Sequence, residues 1–396
     1  MPTPVLVAIL PFAVAFLTTF VLVSPVRRFA VEWRLGDKPN GRKLHAHAIP
    51  HLGGIAIFGG FFLALLTLLA TPFGIAQAGR VLALLPGLLI VFGLGLVDDL
   101  RGLGASVKLV YQVLAAVCVV AMGASLQDGG TLAFGLVVGL SVFWYVGVCN
   151  SVNLIDGLDG LAAGTSAFAA LGFLFVGARL GDAAIVLVAL SLVGALTAFL
   201  RFNFHPARIF MGDTGSMFIG FTLAFLVCLL APSVGLWKAV LGGAAVLGVP
   251  VLDTATAILR RIASRRHIFK ADGEHTHHKL MQLGMSHRGA VWALYALSAM
   301  FAILGSGALL GHTAWLFWAL GLALTVACSV AILSRAAASP HRDEVPETTW
   351  PPVWAQKPSL APDAVLPVAR AARVRETQPE PEEEVLAPVP PVAGQP

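Results

Sequence analysis

Charged residues are scarce in this sequence. Asp, Glu, Lys and Arg make up 12% of the 396 residues, whereas hydrophobic residues make up 57%, and the mean hydropathy is +0.84. Soluble domains carry about 25% charged residues, so this scarcity excludes an ordinary water-soluble enzyme and excludes disorder for the chain as a whole. We predict a polytopic integral membrane protein, because crossing a ~30 Å hydrocarbon core takes about 20 apolar residues.

Cysteine is scarce as well. The four cysteines lie in apolar runs without paired spacing, which excludes a disulfide framework and a Cys-x-x-Cys zinc site. The Gly-Lys pair of a nucleotide-binding P-loop is missing. We expect no nucleic-acid partner and turn to what the apolar runs contain.

Eleven apolar segments are long enough to cross a bilayer. They predict an all-α fold of about 11 transmembrane helices, over residues 4–24, 52–71, 81–97, 107–124, 131–148, 161–178, 183–200, 214–231, 236–259, 290–310 and 314–334. The first segment resembles a signal peptide in length. Because Met1 to Pro4 carry no Lys or Arg, and Arg27 and Arg28 follow the segment, we interpret it as a retained helix.

The distribution of Lys and Arg predicts the orientation. When alternate loops are assigned to the two sides, one side receives 17 of the 26 and the other receives only Arg80, Arg179 and Lys238. The remainder lie in the C-terminal tail. Since cytoplasmic loops carry the excess of positive charge, we predict an N-terminus outside the cell and a cytoplasmic C-terminus.

The composition changes at about residue 335. Residues 335–396 hold 13 of the 24 prolines and 9 of the 21 acids. Such a segment buries too little apolar surface to offset the entropy of ordering it. We predict a transmembrane catalytic domain over 1–334, followed by a disordered cytoplasmic tail that is either dispensable or a docking segment.

Ionisable side chains gather on the predicted cytoplasmic face. Ten of the 12 acids outside the tail lie there, as do nine of the 11 histidines of the whole chain. Ionisable groups near a bilayer are costly, so they favour a functional interpretation. The sequence therefore predicts an active site built from the loops at 98–108, 150–160, 201–213 and 260–288.

Two acid-rich motifs point to a bound cation. Asp98 and Asp99 are adjacent carboxylates, which repel each other unless a cation neutralises them or the helix end is solvated. Further along, Asn153, Asp156 and Asp159 follow one another at three-residue spacing. Amides can donate to phosphate or sugar oxygens, and acids can hold a divalent metal. A plain turn would not need both residue types.

A third motif leads into an apolar helix. The run from Gly212 to Ser216 places Asp213 and backbone N–H groups at a helix N-terminus. That arrangement favours phosphate bound through a hard metal ion, whereas an N-capping turn would explain Asp213 alone. Asn203 and Phe210 precede the run and are further candidates.

The long loop at 260–288 is basic and rich in histidine. Positive-inside anchoring and attraction to anionic lipids explain its arginines, Arg261 among them, but not His275, His277 and His278. Three histidines could hold zinc, but the nearby acids favour magnesium. We interpret the histidines as phosphate contacts.

Two more ionisable residues have open interpretations. Lys43, in the basic run at 37–45, is either a membrane anchor or a cationic contact for a lipid phosphate. Asp253 lies near the end of the ninth segment, where it could simply pair with an arginine. For Lys43 and for Asp253, the residue type alone does not decide between a structural and a functional role.

Together these motifs resemble one family, the polyprenyl-phosphate N-acetylhexosamine-1-phosphate transferases. The resemblance rests on Asp98-Asp99, NSVNLIDGLDGLA, NFHPARIFMGDTGS and HTHH, in this order within residues 37 to about 288. It implies transfer of a sugar 1-phosphate from a UDP-amino sugar to undecaprenyl phosphate, with release of UMP. It also implies Mg²⁺ (or Mn²⁺) as cofactor, a bacterial inner-membrane location, a cytoplasmic active site and a possible homodimer.

Within the family, the histidine motif separates two branches. The muramoyl-pentapeptide branch shows three consecutive histidines followed by an acid, whereas His275-Thr-His277-His278-Lys resembles the N-acetylglucosamine branch. One departure stands against this assignment, because Gly102 replaces the third acid of that branch's DDxxD pattern. The muramoyl branch therefore remains an alternative.

The resemblance also implies residue roles. Asp213 and Asp156 would hold the metal, and Asp98, Asp99, Asp156 and Asp159 would be catalytic. The substrate-binding residues would be Lys43, Asn153, Asn203, Phe210, Arg261, His275, His277 and His278, with Phe210 stacked on uracil. Direct attack by the lipid phosphate is the expected mechanism and a covalent aspartyl phosphate the alternative. An ion-coupled transporter remains the alternative from another class.

Overall fold

The structure, a computed structural model, describes residues 4–33, 35–37, 49–69, 71–127, 130, 132–263 and 276–312, and residues 314–326 except 316, 319 and 323. The chain divides into two units, Met1–Glu347 and Thr348–Pro396. The second unit lies outside the described residues, so the disordered tail and its boundary stay predictions.

Helices form nearly all of the described chain. In order they are α1 (Pro4–Glu32), α2 (Gly53–Leu69), α3 (Pro72–Leu82), α4 (Leu85–Arg101), α5 (Ala105–Ala121), α6 (Phe134–Ile155), α7 (Leu161–Leu180), α8 (Ala183–Asn203), α9 (Gly212–Val234), α10 (Leu236–Val246), α11 (Gly248–Ala263), α12 (Thr276–Gln282) and α13 (His287–Leu309). Two short strands between α1 and α2, β1 (Gly36–Asp37) and β2 (Ile49–Pro50), pair antiparallel.

The lengths and hydropathy of these helices fit a membrane. Among the described residues, six helices are long and apolar enough to cross it, or up to eight if each of two bent pairs is one span. Helices α2 and α5 are apolar but shorter. The predicted all-α membrane protein is therefore confirmed, while the count of 11 helices and the orientation stay predictions.

The ninth predicted segment is not one continuous helix. The chain bends by 90° between α10 and α11. Pro250 lies in the first turn of α11, where it has no N–H to continue the hydrogen bonds of α10. Gly248 also packs so closely on the ring of Phe301 that a Cβ there would lie 2.3 Å from it. The predicted span over 236–259 is therefore either one bent span or two separate helices.

Helix α9 lies at the centre of the bundle. Every residue from Thr214 to Ala231 is buried, and α2, α4 and α6 pack around it. Small residues allow this close approach, which is how helices associate in lipid. The first turn of α9 is thus enclosed by the ends of its neighbours.

Two glycines bring α2 and α4 against that first turn. A Cβ at Gly54 would lie 2.2 Å from the backbone nitrogen of Gly215, and a Cβ at Gly95 would lie 2.5 Å from the Cα of Thr214. No side chain fits at either contact. Because Asp98 and Asp99 end α4, this packing places them at the N-terminus of α9.

A separate polar cluster ties together the other end of α9. Arg80 donates to both carboxylate oxygens of Asp182, at 3.0 and 2.8 Å, and to the carbonyl of Leu229 at 3.2 Å. Leu229 lies about 24 Å along the helix from Asp213, at ~1.5 Å per residue. The cluster around Arg80 and the Asp98–Asp99 pair therefore lie at opposite ends of α9.

Candidate active site

A lysine joins two carboxylates at the entrance of α9. Lys108, in the first turn of α5, forms ion pairs with Asp98 of α4 and with Asp213 of α9, the latter at 2.5 Å. Asp98 is only 8% exposed and also accepts the backbone N–H of Leu103 at 2.5 Å. The ammonium offsets the repulsion between the two carboxylates, which otherwise would be costly at a buried position.

Asp99 faces the backbone of α9. Its carboxylate accepts the N–H of Asp213 at 2.8 Å, the N–H of Thr214 at 3.0 Å and the hydroxyl of Thr214 at 2.6 Å. The first N–H groups of a helix have no partner within the helix, and an acid is a favourable acceptor for them. Asp99 therefore caps α9 from a neighbouring helix and fixes the backbone of Asp213.

An asparagine links the second and third motifs. Asn153, in the last turn of α6, donates to Asp213 Oδ1 at 2.9 Å and lies 2.9 Å from the Ser216 hydroxyl. Asp213 thus contacts Lys108 through one oxygen and Asn153 through the other. Three separate motifs of the sequence meet at this one carboxylate.

Asp156 lies just beyond α6, beside this cluster. Its carboxylate makes no hydrogen bond to any residue that the structure describes. Burial raises the pKa of Asp156 to about 8, and the negative charges of Asp213, Asp99 and Asp159 contribute to the rise. A carboxylate held among other acids in this way is an available ligand for a cation.

The donor set fits a hard divalent ion. Asp156 and Asp213 supply carboxylate oxygens, and no cysteine or histidine belongs to the set as described. Magnesium prefers oxygen ligands and commonly takes one or two carboxylates together with substrate phosphates. An ion at this place would also supply positive charge, which would lower the cost of burying the Asp156 carboxylate. The residue types of the predicted magnesium ligands therefore fit such an ion, and its coordination stays a prediction.

Asp159 belongs to a different cluster. It accepts a hydrogen bond from Nδ1 of His205 at 2.8 Å and another from the N–H of Ala207 at 3.0 Å. The ring of His287 lies 4.2 Å from that of His205, at 25°. These residues offer ligand atoms within 4.8 Å of one another, but Nδ1 of His205 is already paired with Asp159, and Nε2 of His287 lies 3.4 Å from the backbone nitrogen of Asp159. We interpret Asp159, His205 and His287 as a structural cluster that holds the loop after α6 and the loop after α8 against the start of α13.

The predicted nucleoside contacts lie at the end of α8 and in the loop before α9. Asn203 is 2% exposed, and its amide accepts the N–H of Gly160 at 3.1 Å and donates to the carbonyl of Ile209 at 2.9 Å. Phe210 is partly buried, and its N–H donates to the carbonyl of Pro50 at 2.8 Å. Asn203 thus holds the two motif loops together, and contact of either side chain with a nucleoside stays a prediction.

Helix α12 carries two of the predicted histidines. His277 is buried, and a Cβ at Gly157 would lie 2.4 Å from its Nε2. The ring of His278 lies 4.2 Å from that of His277, and His278 is exposed. The histidine motif therefore packs on the loop that follows Asp156.

The start of α12 is held by an acid of α11. Asp253 accepts the N–H of Thr276 at 2.7 Å, so its role is not limited to pairing with an arginine. Arg261 lies in the last turn of the same helix. His275 and Lys43 lie outside the described residues, and their predicted roles are untested.

Lys108 is the residue that the sequence reasoning missed. In the sequence argument, Lys108 contributes only to the excess of positive charge that predicts the cytoplasmic side. The signal was available, since Lys108 is the one charged residue in the sequence of α5, nine residues after Asp99. An isolated lysine at the entrance of an apolar helix, close to paired acids, could have been included.

The fold and these contacts define a class of protein. In this helical membrane protein, acids, an amide and a lysine lie together at the N-terminal end of the central helix. Such a cluster is costly to maintain near a bilayer and marks a functional site. The arrangement is that of a membrane enzyme with a polar active site at the ends of its helices.

Comparison with known proteins identifies the family. Residues 81–231 match the model of glycosyl transferase family 4. The chain is 37% identical over 307 residues to a Bacillus subtilis protein named probable undecaprenyl-phosphate N-acetylglucosaminyl 1-phosphate transferase, covering 74% of this chain and 83% of that protein. The chain belongs to glycosyl transferase family 4, as its motifs predicted, and is a transferase.

Two other relatives carry related names. A Mycobacterium tuberculosis decaprenyl-phosphate N-acetylglucosaminephosphotransferase is 34% identical over 71% of this chain and 77% of its own length. A Desulforudis audaxviator phospho-N-acetylmuramoyl-pentapeptide-transferase is 32% identical over 78% of this chain and 99% of its own length. Both branches of the predicted family are therefore represented among the relatives.

Proposed function

We propose that the protein transfers N-acetylglucosamine 1-phosphate, or a closely related amino-sugar 1-phosphate, from a UDP-sugar to undecaprenyl phosphate. A lipid phosphate oxygen attacks the sugar-proximal phosphorus, the bond between the two phosphates breaks, and UMP leaves. The observation that carries the proposal is the meeting of Asp98, Asp156 and Asp213, from three elements, at one helix entrance. The name of the Bacillus subtilis relative and the HTHH motif support the sugar.

The acids have separate tasks in this proposal. Asp213 and Asp156 would hold Mg²⁺, for which Mn²⁺ could substitute, and bound there it would supply positive charge to the pyrophosphate. Asp98 positions the lipid phosphate or accepts its proton. Because a phosphate monoester has a second pKa near 6 and is largely ionised at neutral pH, positioning is the larger contribution.

Other side chains act through these groups. Asp99 keeps Asp213 in place by capping α9, and Asn153 orients the Asp213 carboxylate. Asp159 acts through its hydrogen bonds to the loop that leads into α9. Their contribution is orientation of groups that touch substrate, which can account for a large part of a rate enhancement.

Recognition of the donor and the lipid is assigned to the surrounding loops. His277 and His278, together with His275 and Arg261, contact sugar or phosphate oxygens. Phe210 stacks on uracil, and Lys43 meets the lipid phosphate at the interface. The packing of His277 on Gly157, next to Asp156, supports a donor that lies between α12 and the metal ligands.

The location follows from charge. We propose about 11 transmembrane helices, an N-terminus outside the cell and an active site on the cytoplasmic face of the bacterial inner membrane. The excess of Lys and Arg in the loops beside the acids supports this orientation. UDP-sugars would then reach the site from the cytoplasm while the lipid tail stays in the bilayer.

The muramoyl-pentapeptide donor is the second candidate. The relative from Desulforudis audaxviator, matched over 99% of its length, favours it. The separated histidines of this chain favour the smaller donor instead. Membership of a transferase family argues against the ion-coupled transporter.

One assay separates these candidates. Purified protein is incubated with undecaprenyl phosphate, Mg²⁺ and either UDP-N-acetylglucosamine, UDP-N-acetylgalactosamine or UDP-N-acetylmuramoyl-pentapeptide, and UMP is measured. We expect UMP from an N-acetylhexosamine donor at a rate at least ~10-fold above that with the pentapeptide. Release of UMP from the pentapeptide alone would favour the second candidate, and release from no donor would contradict the proposal.

A further inference from the structure

A buried amide lies one helical turn inside the active site. Gln112, four residues after Lys108 on α5, is 1% exposed. Asn150 of α6 donates to its Oε1 at 2.8 Å, and the Gln112 nitrogen lies 3.5 Å from Asn150 Oδ1. The same nitrogen lies 3.7 Å from the sulfur of Cys149 and 3.8 Å from that of Met217. We call Gln112, Asn150, Cys149 and Met217 the amide cluster.

The amide cluster joins three of the four helices that build the active site. Each of α5, α6 and α9 contributes one residue to the site and at least one residue, three or four positions away, to the cluster. The pairs are Lys108 and Gln112 on α5, Asn153 and Asn150 on α6, and Asp213 and Met217 on α9. Residues at this spacing lie on one helix face, so the cluster forms a second layer directly beneath Lys108, Asn153 and Asp213.

Helix α5 has little else to set its rotation. Its buried residues are Gln112, Ala115, Ala116 and Val119. In lipid, apolar burial does not drive helices together as it does in water, and interhelical hydrogen bonds and close packing take its place. Alanine and valine contacts change little when a helix turns by a few degrees, whereas a paired amide loses its partner. Gln112 is therefore the side chain best able to fix the rotation of α5.

We propose that Gln112 is a positioning residue for transfer. By pairing with Asn150 it sets the rotation of α5 and so keeps the Lys108 ammonium between Asp98 and Asp213. The kinetic part of this inference rests on the proposed function. Gln112 itself touches no substrate, because it lies one turn deeper than the charged groups.

The first test measures UMP release by single and double variants. We expect Gln112→Leu to lower kcat by about 10-fold with KM for the UDP-sugar within about 2-fold, because orientation and not donor binding is lost. Lys108→Met should lower kcat further. If Gln112 acts through Lys108, adding Gln112→Leu to Lys108→Met should cause no further loss. If kcat of the double variant instead fell by the product of the two single losses, the proposal would be overturned.

Controls separate positioning from general destabilisation. Thr222→Val removes a buried hydroxyl of α9 whose hydrogen bond, to the carbonyl of Phe218, stays within the helix, and it should leave kcat unchanged. Gln112→Met replaces Gln112→Leu if the latter does not fold. The exchanged pair, Gln112→Asn with Asn150→Gln, keeps both amides and should recover part of the lost kcat. Absence of any recovery would count against the amide pair.

A second readout does not depend on turnover. The Lys108 ammonium competes with a cation for Asp213, so Lys108→Met should lower the Mg²⁺ concentration that half-maximally raises the melting temperature. Gln112→Leu should also lower this half-maximal Mg²⁺ concentration, by about 2-fold or more. Thr222→Val should leave it unchanged. If the wild type released no UMP, the proposed function would fail while this titration still tested Gln112. A Gln112→Leu midpoint equal to the wild type would overturn the inference.

Discussion

Neighbouring acids in one motif have different partners. Asp98 shares the ammonium of Lys108 with Asp213, whereas Asp99 accepts hydrogen bonds from the backbone and hydroxyl at the start of α9. The first arrangement leaves a charged cluster at the site, and the second fixes a helix. The two carboxylates should therefore respond differently to substitution.

The role of Asp99 predicts a loss of stability. In Asp99→Asn the amide offers one acceptor oxygen where two are used, and its NH₂ group would face the N–H groups of α9. We expect the free energy of unfolding to fall by about 1–2 kcal/mol, with a lower melting temperature in detergent. Asp98→Asn should melt near the wild-type temperature and lose turnover instead. Equal melting temperatures for Asp99→Asn and wild type would contradict the capping role.

An exposed histidine should affect the substrate more than the fold. His278 is exposed beside buried His277, so His278→Ala should leave the melting temperature unchanged. If the side chain contacts the UDP-sugar, kcat/KM should fall by about 10- to 100-fold. His312→Ala, an exposed histidine beyond the other end of α13, is the matched control. Wild-type kinetics for His278→Ala would remove this histidine from the site.

Residue types and spacing predicted much of the cluster. The sequence pointed to Asp98, Asp156 and Asp213 because acids near a bilayer need a cation or a partner. Lys108 resembles the lysines that anchor cytoplasmic loops, since both occur at helix ends, and only its isolation in an apolar helix close to Asp98 and Asp99 distinguishes it. The sequence could not show that Asn203 holds backbone groups, because those bonds depend on the path of two loops.

At the scale of the element, hydropathy predicted where helices occur but not their shape. The segment at 236–259 is mostly apolar, and its average hydropathy conceals the 90° bend between α10 and α11. The bend depends on Pro250 and on the packing of Gly248 against Phe301, a contact between residues far apart in the sequence. Hydropathy averaged along the chain contains no information about such a contact.

Close packing of α2 on α9 makes one glycine irreplaceable. In Gly54→Ala the new Cβ would lie 2.2 Å from the backbone of Gly215, and backbone cannot move aside as a side chain can. We expect a loss of about 3 kcal/mol, seen as a lower melting temperature and reduced yield. Gly93→Ala is the control, because a Cβ there meets nothing within 4 Å and helical alanine is favoured over glycine. Similar stability of the two variants would contradict the packing.

In the whole molecule, the proposed function requires the acids to lie at one face of the bilayer. The acids lie at the start of α9, and the Arg80–Asp182 pair lies near its other end. With the predicted orientation, the first end faces the cytoplasm and the second faces outward. In the proposed function, a nucleotide donor and a membrane lipid would meet at the first end.

Labelling tests the orientation. Arg101→Cys and Arg179→Cys place a thiol at exposed positions at the end of α4 and of α7. A membrane-impermeant maleimide added to intact spheroplasts should label Arg179→Cys above the wild-type background and should label Arg101→Cys only after lysis. The reverse pattern would invert the orientation and place the acids outside.

The most direct test of the account is cation binding at the acids. Electron paramagnetic resonance measures Mn²⁺ bound to the purified wild type and to Asp156→Asn, Asp213→Asn and Glu32→Gln, the last altering an exposed acid at the end of α1. The account predicts a Mn²⁺ site that Mg²⁺ displaces, that Glu32→Gln retains and that either aspartate variant loses. Unchanged Mn²⁺ binding in both Asp156→Asn and Asp213→Asn would contradict it.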